Sequence, residues 1–393
     1  MAASQAADTS SILVSRTMSF GSKLRQFRKR FSKYEPLITV HISKNALLHN
    51  VHTYQEAYPQ AHIAPVLKSN AYGHGLVEVA TALDRERLPF FALDSLHEAV
   101  VLRNAGIRTP LLIIGYTPVS NMVHARVKDV AFTITSLSQL AELTDAGGAF
   151  RIHLKLDTGM HRQGILEHEW TDAQKILRAH PQLMLLGICS HFADADNPDE
   201  AFTQEQNAVW ERAITAWRTH DANVVFHIAA TAGARFAATA TIIRLGIGLY
   251  GIDTAPNPLR TLKPVMRIET VLSAVKEIHA GDAVGYNATF RAEKATRIAT
   301  IPMGYFEGID RRLSNTGVVL VHDTPCPIVG RVSMNITTID VSNSTDATRD
   351  DTAVVISDNP TDANSVEKIA ATAGAIPWEI LVHIPAHLRR VLE

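Results

Sequence analysis

Between residues 62 and 245 one unit recurs: a short apolar run, a turn, then an amphipathic stretch. The apolar runs fall at 62–68, 90–94, 110–114, 131–134, 151–156, 183–190, 224–228 and 242–245. The amphipathic stretches between them fall at 76–85, 96–105, 121–128, 137–146, 169–179 and 201–219. Runs this short, bounded by turn residues, read as strands. Strands separated by helices pair in parallel, because each helix returns the chain to the same end of the sheet. About eight such units over roughly 220 residues fit a (β/α)8 barrel of the TIM type. A doubly wound sheet uses the same alternation and stays open as the alternative.

The pattern changes after residue 256. Short β-rich runs at 272–278, 295–303, 317–322, 326–332 and 337–341 are divided by turn residues, with a helical pattern only near 364–373. The expected organisation is therefore a barrel over 35–255 and a mostly β domain over 256–393. Residues 1–34 stand apart: Arg16, Lys23, Arg25, Arg28, Lys29, Arg30 and Lys33 face one acid, Asp8, and no apolar core precedes the basic cluster. That composition excludes a secretory signal. It fits a flexible basic extension, the reading adopted, or an organellar transit peptide. The chain carries 38 basic and 39 acidic residues, so no global basic field exists to hold nucleic acid. Two cysteines exclude a disulfide scaffold and a four-cysteine zinc site, and no apolar run reaches the ~18 residues of a membrane span. A cytoplasmic setting is expected, or an organellar one if 1–34 is a transit peptide.

Barrel chemistry sits at the C-terminal ends of the strands and in the loops after them. The first strand ends at Lys68, followed by a polar, Gly-rich loop containing Tyr72. A strand-end lysine is costly to bury as an ammonium, and a desolvated lysine amine can attack a carbonyl. The fifth strand leads through Lys155 and Asp157 to Arg162, which suits a substrate carboxylate. The sixth ends at His191, with Asp194 and Asp196 beyond; the remaining histidines lack matching ligand spacing, so no metal is expected. The eighth carries Arg244 and the turn Gly246, Ile247, Gly248, placed where barrels bind phosphate. A strand-end lysine, a phosphate-type turn and a strand-end arginine together suggest pyridoxal 5'-phosphate (PLP) on a barrel.

The run Lys68, Ser69, Asn70, Ala71, Tyr72, Gly73, His74, Gly75 resembles the cofactor-lysine signature of the alanine racemase family. The resemblance continues in order. Leu154 to Arg162 resembles the substrate-arginine motif, followed by Ser190 to Ala193, Arg244 to Ile247, Tyr250 with Gly251, the tyrosine loop Gly285 to Phe290, Ile301 to Tyr305, and Gly330 to Met334. It spans roughly residue 35 to the C-terminus and implies a PLP-dependent enzyme that interconverts L- and D-alanine with two bases. It implies a homodimer with sites shared between subunits.

Residue by residue, the resemblance makes Lys68 the cofactor lysine and one acid–base group, and Tyr286 the other, reaching across the dimer interface. It places Tyr72, Thr231, Gly246, Ile247 and Tyr305 around the phosphate. Arg244 would face the ring nitrogen with His191 behind it. Arg162 and the Met334 backbone would hold the substrate carboxylate, with Lys155 positioning Arg162. Asp196, Arg311 and Arg331 would line the entry.

The sequence departs from the family pattern in three places. Ala230 and Thr231 replace an Asn-Ser pair, Asn335 replaces an aspartate, and Ala386 aligns with a C-terminal tyrosine that narrows the pocket. A small residue there implies a range extending to serine or larger amino acids. Two alternatives stay open: a decarboxylase of the same fold type, which needs a catalytic cysteine that Cys326 does not resemble, and a non-catalytic PLP-binding protein.

Overall fold

The computed structural model describes residues 35–219, 223–259 and 261–393. The extension read over 1–34 lies outside the described residues. Eight parallel strands build the first half: His62–Pro65, Phe91–Leu93, Leu111–Ile113, Val130–Ile134, Phe150–Lys155, Leu183–Cys189, Val225–His227 and Ile242–Leu245. Six of them, from Phe91–Leu93 to Val225–His227, pair side by side in sequence order. The last strand pairs in parallel with the first, Ala64 opposite Arg244. Val66 bridges to Ala92, and the Thr241 and Arg244 amides donate to the carbonyls of Phe226 and Ala229 at 2.9 and 3.1 Å. The sheet thus closes on itself, which selects the barrel over the doubly wound sheet.

The strands are short and nearly continuous in apolar residues because both faces are covered, by the barrel interior and by the outer helices. Helices begin where a serine can accept from a free backbone amide. Ser43, Ser95 and Ser136 do so at Lys44–Ala57, Leu96–Asn104 and Leu137–Ala146. The longest, Ala201–Arg218, is anchored by fully buried Trp210 and Trp217.

The second half is mostly β. A six-stranded sheet runs Thr324–Pro327, Val318–Val321, Thr352–Ile356, Met266–Val271, Thr39–Ile42, Arg389–Leu392. A three-stranded sheet joins Ala274–Ile278, Thr296–Ile301 and Thr337–Asp340. The stretch read as one strand at 272–278 is a crossing point. The Leu272 amide donates to the Asp351 carbonyl, just ahead of the first sheet's strand Thr352–Ile356, and the Ser273 amide to Thr300 in the second sheet.

Thr39–Ile42, counted with the barrel in the sequence reading, belongs to this second half. It lies between Met266–Val271 and Arg389–Leu392 and buries Val40 and Ile42 completely. Its partners are more than 200 residues away in the chain, so no local pattern reveals them. Residues 38–393 form one compact unit.

Candidate active site

Four consecutive residues after Lys68, from Ser69 to Tyr72, hold φ between 51° and 57°. Left-handed backbone costs a non-glycine residue ~1–2 kcal/mol, so the turn exists because its surroundings hold it. Glu98 accepts from the Ser69 amide at 2.8 Å while capping its own helix at Ser95. The Asn70 side chain accepts from the Leu76 amide at 2.9 Å. From the C-terminal half, Arg390 donates twice to the Gly73 carbonyl, at 2.7 and 3.1 Å.

Gly73 itself has φ +80°, and a Cβ there would lie 1.9 Å from the Leu381 carbonyl oxygen. We expect Gly73→Ala to cost about 2–5 kcal/mol, combining left-handed strain with overpacking. Denaturant unfolding and cofactor retention measured together check this. A stable variant with full retention contradicts it.

The turn aims Lys68 and Tyr72 into a cavity of about 450 Å³ at the C-terminal ends of the barrel strands. Lys155, Arg162, His191, Arg244 and Gly246 line the same cavity. A neighbouring cavity of about 240 Å³ shares Tyr72, His191 and Gly246 and adds Thr231, Ile247 and Asp196. Ten of the sequence-named residues, from five barrel strand ends, therefore converge.

One end of this space is built for an anion. A Cβ on Gly246 would sit 3.1 Å from the Tyr72 hydroxyl and 3.9 Å from Thr231 Oγ1. The glycine thus leaves two hydroxyls facing a bare backbone, and any side chain would fill the cradle. Tyr72 packs on Tyr250, whose ring stacks on His74, so the hydroxyl is held from behind. Burial pushes the Tyr72 phenol up to about 12, keeping it a donor. Thr231 Oγ1 accepts from the Gly248 amide at 3.0 Å, which leaves its own hydrogen to give. These residues fit a phosphate, and with Lys68 in the same cavity they fit PLP.

The other end is built around Arg244, fully buried. Its guanidinium donates to the backbone carbonyls of Ser190, His227 and Ile228 and to Nδ1 of His191 and of His227. Burial lowers its pKa, yet a guanidinium stays a donor at every N–H. Burial, then the Arg244 charge, hold His191 down to about 3. Burial also lowers Lys155, helped by the positive charges of Arg162 and Arg244, with Cys189 opposing them. His227 and Cys189 line this region and were missed, although both stand at strand ends and the strand-end rule applied to every strand would have found them.

The second-half residues named from sequence stand elsewhere. Tyr286, Tyr305, Met334, Arg311 and Arg331 line neither cavity of their own chain. They form one group instead. Tyr305 and Phe306 amides donate to the Ser333 and Met334 carbonyls, and the Tyr286 turn packs against Arg331 beside Gly285. Tyr286 is 70% exposed and Met334 55%. Tyr305 thus does not reach the phosphate cradle within one chain; Thr254 and Trp378 form that wall.

Ala386 is likewise off the cavity, its carbonyl taken by Arg390, and the C-terminal residue that lines the site is Trp378. Asn335 donates to Glu307 at 2.6 Å, and Glu307 caps the Gly304 amide. An aspartate there would face the Glu307 carboxylate, like charge against like, so the departure is matched by its partner.

Residues 42–254 match the family model for the alanine racemase N-terminal domain, and 265–392 that for the alanine racemase C-terminal domain. The alanine racemase of Syntrophobacter fumaroxidans is 37% identical over 358 residues, covering 88% of this chain and 94% of that protein. That of Sorangium cellulosum is 34% identical over 340 residues, covering 83% and 90%. The crystal structure of alanine racemase from Bacillus anthracis with bound L-Ala-P superposes with a TM-score of 0.81 at 29% identity, covering 92% of this chain and 96% of that one. Two family domains in order across nearly all the described residues, over a barrel with a strand-end lysine facing an anion cradle, lead to one conclusion: the chain belongs to the alanine racemase family.

Proposed function

We propose that this chain is a PLP-dependent racemase interconverting L- and D-alanine. The observation that carries it is one space holding Lys68, the Tyr72–Thr231–Gly246 cradle and Arg244 together. Lys68 would hold the cofactor covalently, Tyr72, Thr231, Gly246 and Ile247 would take its phosphate, and Arg244 would face its ring nitrogen. When bound, PLP withdraws electrons from the substrate α-carbon and makes its proton removable.

Racemisation then needs one acid–base group on each face of that carbon. Lys68 serves one face. Tyr286, exposed and remote within its own chain, serves the other from a second copy, which also brings Tyr305, Met334, Arg311 and Arg331. The active form is a homodimer. Arg162 takes the substrate carboxylate with the Met334 backbone amide, and Lys155 orients Arg162. His191 accepts from Arg244 through Nδ1, so its proton sits on Nε2, free to donate to an incoming phenolate and lower its pKa. Arg244, whose guanidinium keeps its protons, does not act as an acid toward the ring. Asp196 lines the outer cavity, consistent with an entry route.

The decarboxylase reading loses ground at Cys326. This thiol lies in the strand Thr324–Pro327, donates to the Thr324 carbonyl, and is pushed up to about 11 by burial. Among the described residues no helix is long and apolar enough to cross a membrane. A cytoplasmic setting is proposed.

The test is incubation of PLP-loaded protein with single L-amino acids in heavy water, reading α-deuteration and enantiomer formation together. Alanine should racemise with α-deuteration. Deuteration without the D-enantiomer, or carbon dioxide release, defeats the proposal. Serine measures the range. The basis for a wider range at Ala386 is replaced by an indole, Trp378, so Trp378→Ala should raise the serine-to-alanine ratio of kcat/KM by roughly tenfold or more. An unchanged ratio places Trp378 away from the substrate side chain.

A further inference from the structure

Arg244 is not the end of the polar chain inside the barrel. His227 Nδ1 lies 2.6 Å from an Arg244 Nη, and His227 Nε2 lies 2.8 Å from Nδ1 of His153. His153 stands on the strand Phe150–Lys155, two residues before Lys155, and is 3% exposed; His227 is wholly buried. Neither residue has a role in the reaction as described. The space for the His153 ring exists because residue 187, on the adjacent strand, is glycine: a Cβ there would lie 2.3 Å from His153 Nδ1. Phe90 packs on both imidazoles, with centroids at 5.7 Å from each.

The donors and acceptors along this chain can be assigned in only one direction. A guanidinium donates and never accepts. His227 Nδ1 must therefore be the acceptor, and the His227 proton sits on Nε2. That N–H needs an acceptor, and the atom facing it is His153 Nδ1. Burial, followed by the charge of Arg244, holds both imidazoles far below their usual range, His153 down to about 3. The chain stays neutral and keeps its direction at any working pH.

We propose that His153 is a positioning residue: it fixes the tautomer of His227 and, through it, the plane of the Arg244 guanidinium. Without an acceptor at His153, the His227 Nε2–H is buried and unpaired. The ring then gains by turning, and a turned ring presents N–H or C–H toward Arg244 instead of a lone pair. The guanidinium loses one of the contacts that hold it flat against the cavity. His153 touches neither substrate nor cofactor. It rests on the reading of Arg244 as the ring-nitrogen contact, but the tautomer itself does not.

The experiment is nitrogen-15 NMR of the full-chain holoenzyme labelled selectively in histidine. His227 should show a bare Nδ1 and a protonated Nε2, with coupling across the hydrogen bond to a bare Nδ1 on His153. A His227 carrying its proton on Nδ1 overturns the proposal, and this measurement needs no variant to fold. Two substitutions extend it. His153→Asn keeps an acceptor near the Nδ1 position; His153→Leu keeps the volume and removes it. An unpaired buried N–H of this kind corresponds to roughly 5- to 150-fold in an equilibrium. His153→Leu should therefore shift the His227 resonances and weaken PLP binding by roughly tenfold or more, and His153→Asn should recover most of both. If Leu behaves like wild type, or Asn no better than Leu, the ring is packing only and the proposal falls. The reading of Arg244 is tested separately with ring-labelled PLP. A protonated ring nitrogen in the wild type defeats that reading while leaving the His227 result standing.

Discussion

Lys68→Ala is expected to lose covalent cofactor and to slow racemisation by roughly four orders of magnitude or more, since one residue supplies both the attachment and an acid–base group. The competing candidate is Lys155, which lines the same cavity. Judged by ease of deprotonation, Lys155 has a case, because burial and two neighbouring guanidinium groups all lower its pKa. Geometry decides against it. Lys68 begins the left-handed turn that also carries Tyr72, so one rigid segment sets the spacing between the attachment point and the phosphate cradle. Lys155 sits between Cys189, Arg162 and Asp157, where it can orient the arginine. Borohydride reduction of the yellow holoenzyme followed by peptide mapping should place the label on Lys68. A label on Lys155, or retained covalent cofactor in Lys68→Ala, refutes the assignment.

Tyr286→Phe should keep the cofactor and lose activity by roughly 10²–10⁴-fold, the range of one general acid–base group, with the larger effect on abstraction from the L-enantiomer. Within its own chain Tyr286 is exposed and lines neither cavity, so a role in chemistry demands a second copy. Complementation makes this decisive. Mixing inactive Lys68→Ala with inactive Tyr286→Phe, with subunit exchange confirmed by mass, yields heterodimers in which one site is doubly altered and the other intact. With random exchange, half the dimers are mixed and half their sites work, so about a quarter of wild-type activity should return. No return after confirmed exchange means that the two residues do not act together across an interface.

The barrel side of the site was legible because its rule is local. Each strand end can be found from a short apolar run and the turn after it, and a closed parallel barrel brings those ends to one mouth. Lys68, Arg162, His191 and Arg244 were located that way and do share one cavity. The cradle was partly legible, since Gly246 marks a close approach that only the missing Cβ permits. The C-terminal half was less legible: within one chain the residue at the cavity wall is Trp378 rather than Ala386, and Tyr305 lies off both cavities.

From residue order alone came the alternation of strand and helix, the two-part organisation after residue 256, and the types of group offered at each strand end. These follow from side-chain periodicity and turn chemistry, which act over a few residues. Tertiary structure alone decided three things. It closed the sheet by pairing Ala64 with Arg244. It drew Thr39–Ile42 out of the barrel segment into the six-stranded sheet of the second half, opposite residues near both 268 and 390. It also aligned His153, His227 and Arg244 into one directed chain from three different strands. The reason is common to all three. Hydrogen-bond partners far apart in the chain are chosen by which buried donors and acceptors remain unpaired once the whole fold has packed, and no window of sequence contains that sum.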